Sequence, residues 1–136
     1  MKTQTGFTLI ELVIATGIIA ILAAVAYPSW LAQEQKGRRS DALTSVTAIS
    51  SSLERCYAQS YTYAGCPNAS VGTINSTQGY YQITTAVTPS TYTITATPLG
   101  PQVPDLPCAS IVYTNTGQSA TNSVGVDSTT ACWGSS

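Results

Sequence analysis

The most chemically distinctive side chain in this 136-residue sequence is Glu11, an acid inside an apolar run. The run covers residues 7–27 and contains no other charged residue. A carboxylate in lipid costs about 2.5–3.5 kcal/mol at the centre of a helix, so such a residue usually has a partner and a function. Cleavage just before Phe7 would create an α-amino group that stays largely protonated at neutral pH, and this cation is the candidate partner.

The other residues capable of specific chemistry are four cysteines, which all follow the apolar run. They allow three disulfide pairings. We favour Cys56–Cys66 with Cys108–Cys132, because each bond would close a loop that a small core could not hold alone. The alternative is a zinc site, but the sequence has no histidine and lacks the CxxC spacing usual for such sites. We therefore expect disulfides, no metal and an oxidising compartment.

Charge is sparse, at 8% of residues against about 25% in ordinary soluble domains. No Lys or Arg follows Arg55, which argues against nucleic acid as a partner of the downstream region. The absence of histidine removes the commonest general base, and no nucleophile–base pair or cofactor motif is present. The composition therefore favours a structural protein over an enzyme, and no cofactor is expected.

The apolar run is long enough, at about 1.5 Å per residue, to cross a hydrocarbon core of about 30 Å. It predicts three segments: a leader at 1–6, a membrane helix at 7–28 and a globular domain at 29–136. Basic residues on the far side of the run oppose the positive-inside rule; they are Lys36, Arg38 and Arg39. The expected disulfides outweigh this asymmetry, so we expect a cytoplasmic N-terminus and a domain outside the cytoplasm.

Apolar residues continue after the membrane segment at three- and four-residue steps, namely Ala42, Val46, Ile49, Leu53 and Cys56. This spacing predicts one long helix over about 8–57. Pro28 removes an intrahelical hydrogen bond and predicts a kink there, or alternatively a break between two helices. For the basic residues at 36, 38 and 39, one alternative is contact with lipid phosphates. We favour a solvated face or a pairing with Glu34 and Asp41.

The pattern in the rest of the chain predicts a small antiparallel sheet. Segments 80–87 and 92–97 are rich in β-branched and aromatic residues and predict a hairpin, whereas 59–79 is too polar and broken for a regular element. A third strand is expected at 110–114, turning at 115–117, and a last strand at 124–126 or near Trp133. One long helix with these strands predicts an α+β fold.

The string KTQTGFTLIELVIATGIIAILAAVAYPSW at residues 2–30 resembles the class III signal peptide of bacterial type IV pilins and pseudopilins. The resemblance implies that a prepilin peptidase cuts after Gly6 and methylates Phe7. It also implies that Glu11 pairs with the N-terminal amine of a neighbouring subunit during filament assembly. Pro28 falls where pilins usually have a helix proline.

Further along, TYTITATPLG, NTGQ and the terminal Cys-Trp pair are similar to minor pilins of the PilE and ComP-like group. The resemblance implies the type IV pilin fold, with a C-terminal loop bounded by Cys108 and Cys132. It implies a subunit that lies in the inner membrane as a single-pass protein and then enters an extracellular filament. The implied partners are other pilin subunits, prepilin peptidase, an inner-membrane assembly platform and, before assembly, membrane lipid.

The function that follows is a structural subunit of a type IV pilus, supporting adhesion, twitching motility or DNA uptake, and most similar to a minor pilin. The alternatives are a major pilin, a ComP-like receptor for DNA uptake, and a type II secretion pseudopilin. Clustered Lys and Arg would be needed for DNA binding, and too few carboxylates are present for the calcium site that pseudopilins often use.

Overall fold

The computed structural model describes residues 7–67, 72–103 and 105–134. The predicted leader, including Gly6, lies outside the described residues. The chain divides into two compact units, Met1–Glu34 and Gln35–Ser136. Helix α1, Leu9–Ser60, contributes to both units and contains Pro28 in its interior. The prediction of one long helix is therefore confirmed, whereas the kink at Pro28 stays a prediction.

Within the first unit, α1 begins at a capped end. The Thr8 hydroxyl oxygen accepts a hydrogen bond from the Glu11 backbone N–H at 3.3 Å, which satisfies one of the amides that a helix start leaves unpaired. Of the helices in the described part of the chain, α1 is the one long and apolar enough to cross a membrane.

The second unit contains a five-stranded antiparallel sheet in the order β1-β2-β3-β4-β5. The strands are Ile74–Asn75, Tyr81–Val87, Tyr92–Pro98, Ser110–Thr114 and Gly117–Thr121. Two 3-10 turns, Gly100–Gln102 and Leu106–Cys108, lie between β3 and β4, and helix α2 spans Thr129–Trp133. The predicted α+β class, the β2–β3 hairpin and the third strand are confirmed.

The last strand was placed wrongly. Residues 124–126 form a turn, and Thr129–Trp133 is helical, while the strand that ends the sheet is β5 at Gly117–Thr121. The physical reason is Asn122, whose side-chain oxygen accepts hydrogen bonds from the N–H groups of Val124 (3.1 Å) and Val126 (2.9 Å). Once its amides bind that side chain, the segment cannot pair as a strand, despite its two β-branched residues.

The core of the second unit lies between the second half of α1 and the sheet. The helix contributes Val46 and Leu53, and the sheet contributes Ile83, Ile94 and Ile111, all with no exposed surface. Complete burial of such a side chain stabilises the fold by about 1.5–3 kcal/mol. The three- and four-residue spacing read from the sequence therefore identified the buried face of the helix correctly.

The free edge of β5 is covered by the segment that follows it. The Ala120 N–H donates to the Thr129 hydroxyl at 3.0 Å, and the Ala120 carbonyl accepts from the Ser128 N–H at 2.8 Å. The Trp133 indole N–H donates to the Ser119 carbonyl at 3.0 Å. These contacts occupy backbone groups that an exposed edge strand would offer to another chain.

Two disulfides, Cys56–Cys66 and Cys108–Cys132, are present, and these are the pairings favoured above. The first joins the last turns of α1 to the loop that follows the helix. The second joins the 3-10 turn Leu106–Cys108 to α2, so it bounds the C-terminal loop as expected. Both bonds hold short-range loops in a domain with a modest core, where such cross-links have the largest structural role.

Candidate functional site

The apolar part of α1 is the first candidate surface. From Phe7 to Gln33 every side chain is exposed, including large apolar ones such as Leu9 at 80% and Val25 at 75%. A monomeric soluble protein rarely exposes a contiguous apolar patch of more than a few hundred Å². The surface must therefore be covered by lipid or by the helices of other molecules.

Two of the predicted site residues lie at the start of this surface. Phe7 is 86% exposed, and the Glu11 side chain is exposed in the first turn of α1. A carboxylate in the first turn is also favoured by the helix dipole, independently of any partner molecule. The pairing of Glu11 with an amine of another subunit, and the cleavage between Gly6 and Phe7, stay predictions.

A buried ion pair organises the second unit. The Arg39 guanidinium donates from Nε to Asp105 Oδ2 at 2.7 Å and from Nη2 to Asp105 Oδ1 at 2.6 Å, which is the bidentate geometry of a strong pair. A third donor, Nη1, reaches the Ala131 carbonyl in α2 at 3.1 Å. Hydrogen bonding to Asp105 outweighs the effect of burial and raises the pKa of Arg39.

This pair corrects the prediction that the basic residues of α1 form a solvated face. Lys36 is exposed, but Arg39 is buried and its partner is Asp105 rather than Glu34 or Asp41. The helical period explains the difference, because residue 39 precedes Ala42 and Val46 by steps of three and four and lies on the same buried stripe. A charged residue on a buried stripe was the signal in the sequence that should have indicated a paired charge.

Gln102 extends the pair into a buried polar network. Its side-chain nitrogen lies 2.8 Å from Asp105 Oδ2, 3.0 Å from the Tyr81 hydroxyl and 3.1 Å from the Gln35 carbonyl. Gln102 Oε1 is a buried side-chain atom without a hydrogen-bond partner in the described part of the chain. The network connects α1, β2, the proline-rich loop and α2, so it holds the C-terminal loop against the helix.

Asp41 has a different role from the one expected. Its carboxylate accepts hydrogen bonds from the backbone N–H groups of Gln78 (3.0 Å) and Tyr80 (3.4 Å) and from the Ser76 hydroxyl. Asp41 is 4% exposed, so these neutral donors, and not the basic residues of the helix, satisfy a buried acid. The contact fixes the chain as it enters β2.

Aromatic side chains form a continuous row across the sheet and the end of α1. Successive ring centroids are 4.4, 5.0, 6.4 and 5.6 Å apart along Tyr57, Tyr63, Tyr92, Tyr113 and Trp133. These separations are within the range in which aromatic pairs attract beyond their buried area. No local sequence pattern predicts this row, because its members are far apart in the chain.

The buried tyrosines predict alkaline unfolding. Burial raises the pKa of Tyr63 and of Tyr81 to about 12, against about 10 in an unfolded chain. The folded state therefore keeps these protons after the unfolded state has lost them, and stability falls as the pH rises from about 10 to about 12. We expect urea midpoints to be constant below pH 10 and to decline above it, with a smaller decline in Tyr81→Phe. An unchanged midpoint up to pH 12 would contradict the assignment.

Two protein-family models match this chain. A model of the family described as type IV minor pilin ComP, DNA uptake sequence receptor, matches residues 28–112, which is more than half of the chain. The chain belongs to this family. A second model, of the prokaryotic N-terminal methylation motif, matches residues 1–27. The resemblance to type IV pilins is thereby confirmed for this pilin, and its family is one of structural subunits.

Individual relatives match less than half of this pilin. A fimbrial protein of Pseudomonas aeruginosa is 43% identical over 54 residues, which are 40% of this chain and 35% of that protein. The type II secretion system core protein G of Vibrio cholerae is 35% identical over 54 residues, 40% of this chain and 37% of that protein. The type IV major pilin protein PilA of Myxococcus xanthus is 35% identical over 63 residues, which are 46% of this chain and 29% of that protein. The matched segment thus spans about a third of the length of these relatives.

Proposed function

We propose that this pilin is a structural subunit of a type IV pilus, cleaved after Gly6, methylated at Phe7 and assembled through the helix at 7–28. The observation that carries the proposal is the exposed, apolar half of α1 with one acid in its first turn, within a matched N-terminal methylation motif. Before assembly this surface lies in the inner membrane, with the leader at 1–6 cytoplasmic and the domain at 29–136 outside. After assembly it contacts the helices of other subunits.

Glu11 supplies the specificity of assembly in this proposal. In a filament core of packed helices, an N-terminal amine would be an uncompensated charge in a low-dielectric environment, which is strongly unfavourable. The carboxylate of Glu11 in one subunit offsets the Phe7 amine of its neighbour. Such a buried pair sets the axial register of the helices more than it adds net stability.

The proposal predicts the form of the protein in sheared filaments. Mass spectrometry is expected to find an N-terminal peptide that begins with methylated Phe7, in a small amount relative to one dominant pilin, because the family is one of minor pilins. Gly6→Val is the matched control, since a branched residue before the cut should leave the uncleaved precursor in the membrane. Filaments that contain a Met1 terminus, or none of this pilin, would contradict the proposal.

A receptor for DNA uptake is a second candidate, and it is favoured by the description of the family that matches residues 28–112. The basic side chains of the second unit all belong to α1. Of these, Arg39 is used by its buried pair with Asp105, and Arg38 lies 4.8 Å over the ring of Tyr80. Outside the buried pair, the basic residues of the second unit are Lys36 and Arg55, which are exposed, and Arg38, which is half-buried and also donates a hydrogen bond to the Pro101 carbonyl at 3.4 Å.

The number of basic residues outside the ion pair limits how steeply DNA binding would depend on salt concentration. Three phosphate contacts give a slope of log K against log salt concentration of no more than about −3 for duplex DNA. We expect Lys36→Ala and Arg38→Ala each to reduce the slope by about 1 in filter-binding titrations of the full chain. A slope near −3 that is unchanged in both variants would contradict an interface on α1. The absence of binding at low salt would remove the receptor candidate and leave the structural role intact.

A further inference from the structure

A polar cleft lies between the C-terminal end of α1 and the turn that joins β4 to β5. Its volume is about 670 Å³, within the range of about 300–1,000 Å³ that small-molecule sites occupy. The residues that matter for the argument are Ser51 and Glu54 of the helix, Tyr92 and Tyr113 of the sheet, and Asn115 of the turn. Neither the pilin assembly surface nor the basic residues of α1 belong to this cleft.

The acid in the cleft is fixed by the aromatic row. The Tyr63 hydroxyl donates a hydrogen bond to Glu54 Oε1 at 3.1 Å, and Tyr63 itself is only 4% exposed. The neighbouring Tyr92 is 3% exposed, and burial together with hydrogen bonding to Glu54 raises its pKa. Glu54 is nevertheless exposed, so its carboxylate is held by Tyr63 and is also accessible to a ligand in the cleft.

The opposite rim is fixed by hydrogen bonds inside the turn. The Thr114 hydroxyl oxygen accepts from the N–H groups of Thr116 (3.3 Å) and Gly117 (3.2 Å), and its hydrogen is donated to the Gly117 carbonyl at 2.9 Å. These bonds hold Asn115 at an exposed position on the rim. Both sides of the cleft are therefore arranged before any ligand arrives, which lowers the entropic cost of binding.

The charge and polarity of the residues that line the cleft limit which class of ligand can bind there. Among the described residues that line the cleft, none is basic, and Glu54 would repel phosphates, sulfates and carboxylates. A purely apolar ligand would leave the carboxylate and the Asn115 amide desolvated and unpaired. A metal ion would need several oxygen or nitrogen ligands, and the described residues contain no group of three or more His, Cys, Asp or Glu side chains that could hold one. A neutral molecule with many hydroxyl groups and one apolar face can satisfy both Glu54 and Asn115. Its hydroxyls would donate to Glu54 and exchange hydrogen bonds with Asn115, while its C–H face would pack on the half-buried ring of Tyr113.

We propose that this cleft binds a neutral saccharide of about disaccharide size. Glu54 and Asn115 bind the sugar hydroxyls, Tyr113 contacts the C–H face of a pyranose ring, and the negative charge of Glu54 excludes acidic sugars. The site is independent of pilus assembly and of DNA binding, because it shares no residue with either proposed surface. It gives the folded domain an adhesive function on glycan-bearing surfaces.

Saturation-transfer NMR tests the proposal on the full chain in lauryldimethylamine oxide micelles, a detergent without a sugar headgroup that could compete. The probes are lactose, maltose and N,N′-diacetylchitobiose, each at about 10 mM so that a Kd of about 1 mM is detected. N-acetylneuraminyl-lactose is the acidic comparison. We expect transfer to at least one neutral probe, weaker transfer to the acidic one, and a Kd raised about tenfold by Glu54→Gln, because charge-assisted hydrogen bonds are roughly twice as strong as neutral ones.

Asn115→Ala provides a second variant at an exposed turn position, where folding should be unaffected, and is expected to raise the Kd several-fold. Asp127→Asn and Gln118→Ala are matched controls, since they remove an exposed carboxylate and an exposed amide that do not line the cleft. Transfer to none of the neutral probes would overturn the proposal. So would a Kd that is unchanged in both Glu54→Gln and Asn115→Ala, or one that the two control variants change equally.

Discussion

Glu11→Val is expected to leave membrane insertion intact and to reduce the amount of this pilin in filaments by about a hundredfold or more. Valine lowers the cost of placing the helix in lipid, so the precursor should still reach the inner membrane. Within the filament, however, the Phe7 amine of the neighbouring subunit would lose its counter-charge. Removing one partner of a buried ion pair costs about 3–5 kcal/mol, and each 1.4 kcal/mol is a factor of ten in an equilibrium constant. Immunoblots of sheared filaments and of membrane fractions measure the two effects separately.

The matched controls are Thr8→Val and Thr16→Val. Thr8 accepts the hydrogen bond from the Glu11 N–H at the start of α1, so its replacement tests whether helix capping, rather than charge, explains the Glu11 phenotype. The Thr16 hydroxyl donates to the carbonyls of Leu12 and Val13 within the same helix, and its loss should matter little. Normal piliation in Glu11→Val, or an equal defect in Thr8→Val, would contradict the pairing proposal.

Asp105→Ala is expected to destabilise the second unit by about 3–5 kcal/mol. The change leaves the buried Arg39 guanidinium with the Ala131 carbonyl as its remaining hydrogen-bond partner in the described part of the chain, and it removes an acceptor from Gln102. Urea unfolding of the full chain in micelles, followed by near-ultraviolet circular dichroism, measures the loss. Because the pair connects α1 to the loop bounded by Cys108–Cys132, the amides of α2 should also exchange faster with solvent.

The double variant Arg39→Met with Asp105→Leu tests whether the stability lost in Asp105→Ala comes from the unpaired charge of Arg39. Replacing both charges by apolar side chains of similar size should recover most of the lost stability, because the desolvation cost disappears with the charges. Asp127→Asn serves as a control at an exposed carboxylate. Its amide oxygen can still accept the two hydrogen bonds from Thr129, so the urea midpoint is expected to fall much less than in Asp105→Ala. Equal midpoints for the wild type and Asp105→Ala would show that the ion pair is not buried as described.

Local patterns predicted much of the fold because they depend on neighbours in the chain. The three- and four-residue steps from Ala42 to Leu53 identified the buried face of α1, and the β-branched segments before and after Thr88 identified the β2–β3 hairpin. The same logic failed at the end of the chain. Gln118 and Ser119 are polar, so β5 gave no strand signal, and the valines at 124 and 126 gave one that the Asn122 side chain overrides.

By itself, the sequence determined the apolar segment at residues 7–27, its lone acid and the resemblance to pilins, because length, hydropathy and motif spacing are properties of contiguous residues. Only the tertiary structure decided what the charges of the second unit do. Arg39 and Asp105 are 66 positions apart, and Glu54 meets Tyr92 and Asn115 in the cleft only once the sheet has formed. No local sequence periodicity predicts such contacts, because they form only when the whole domain packs. Burial of the surrounding apolar residues removes the water that would otherwise solvate these polar groups, and so forces them to find partners within the fold.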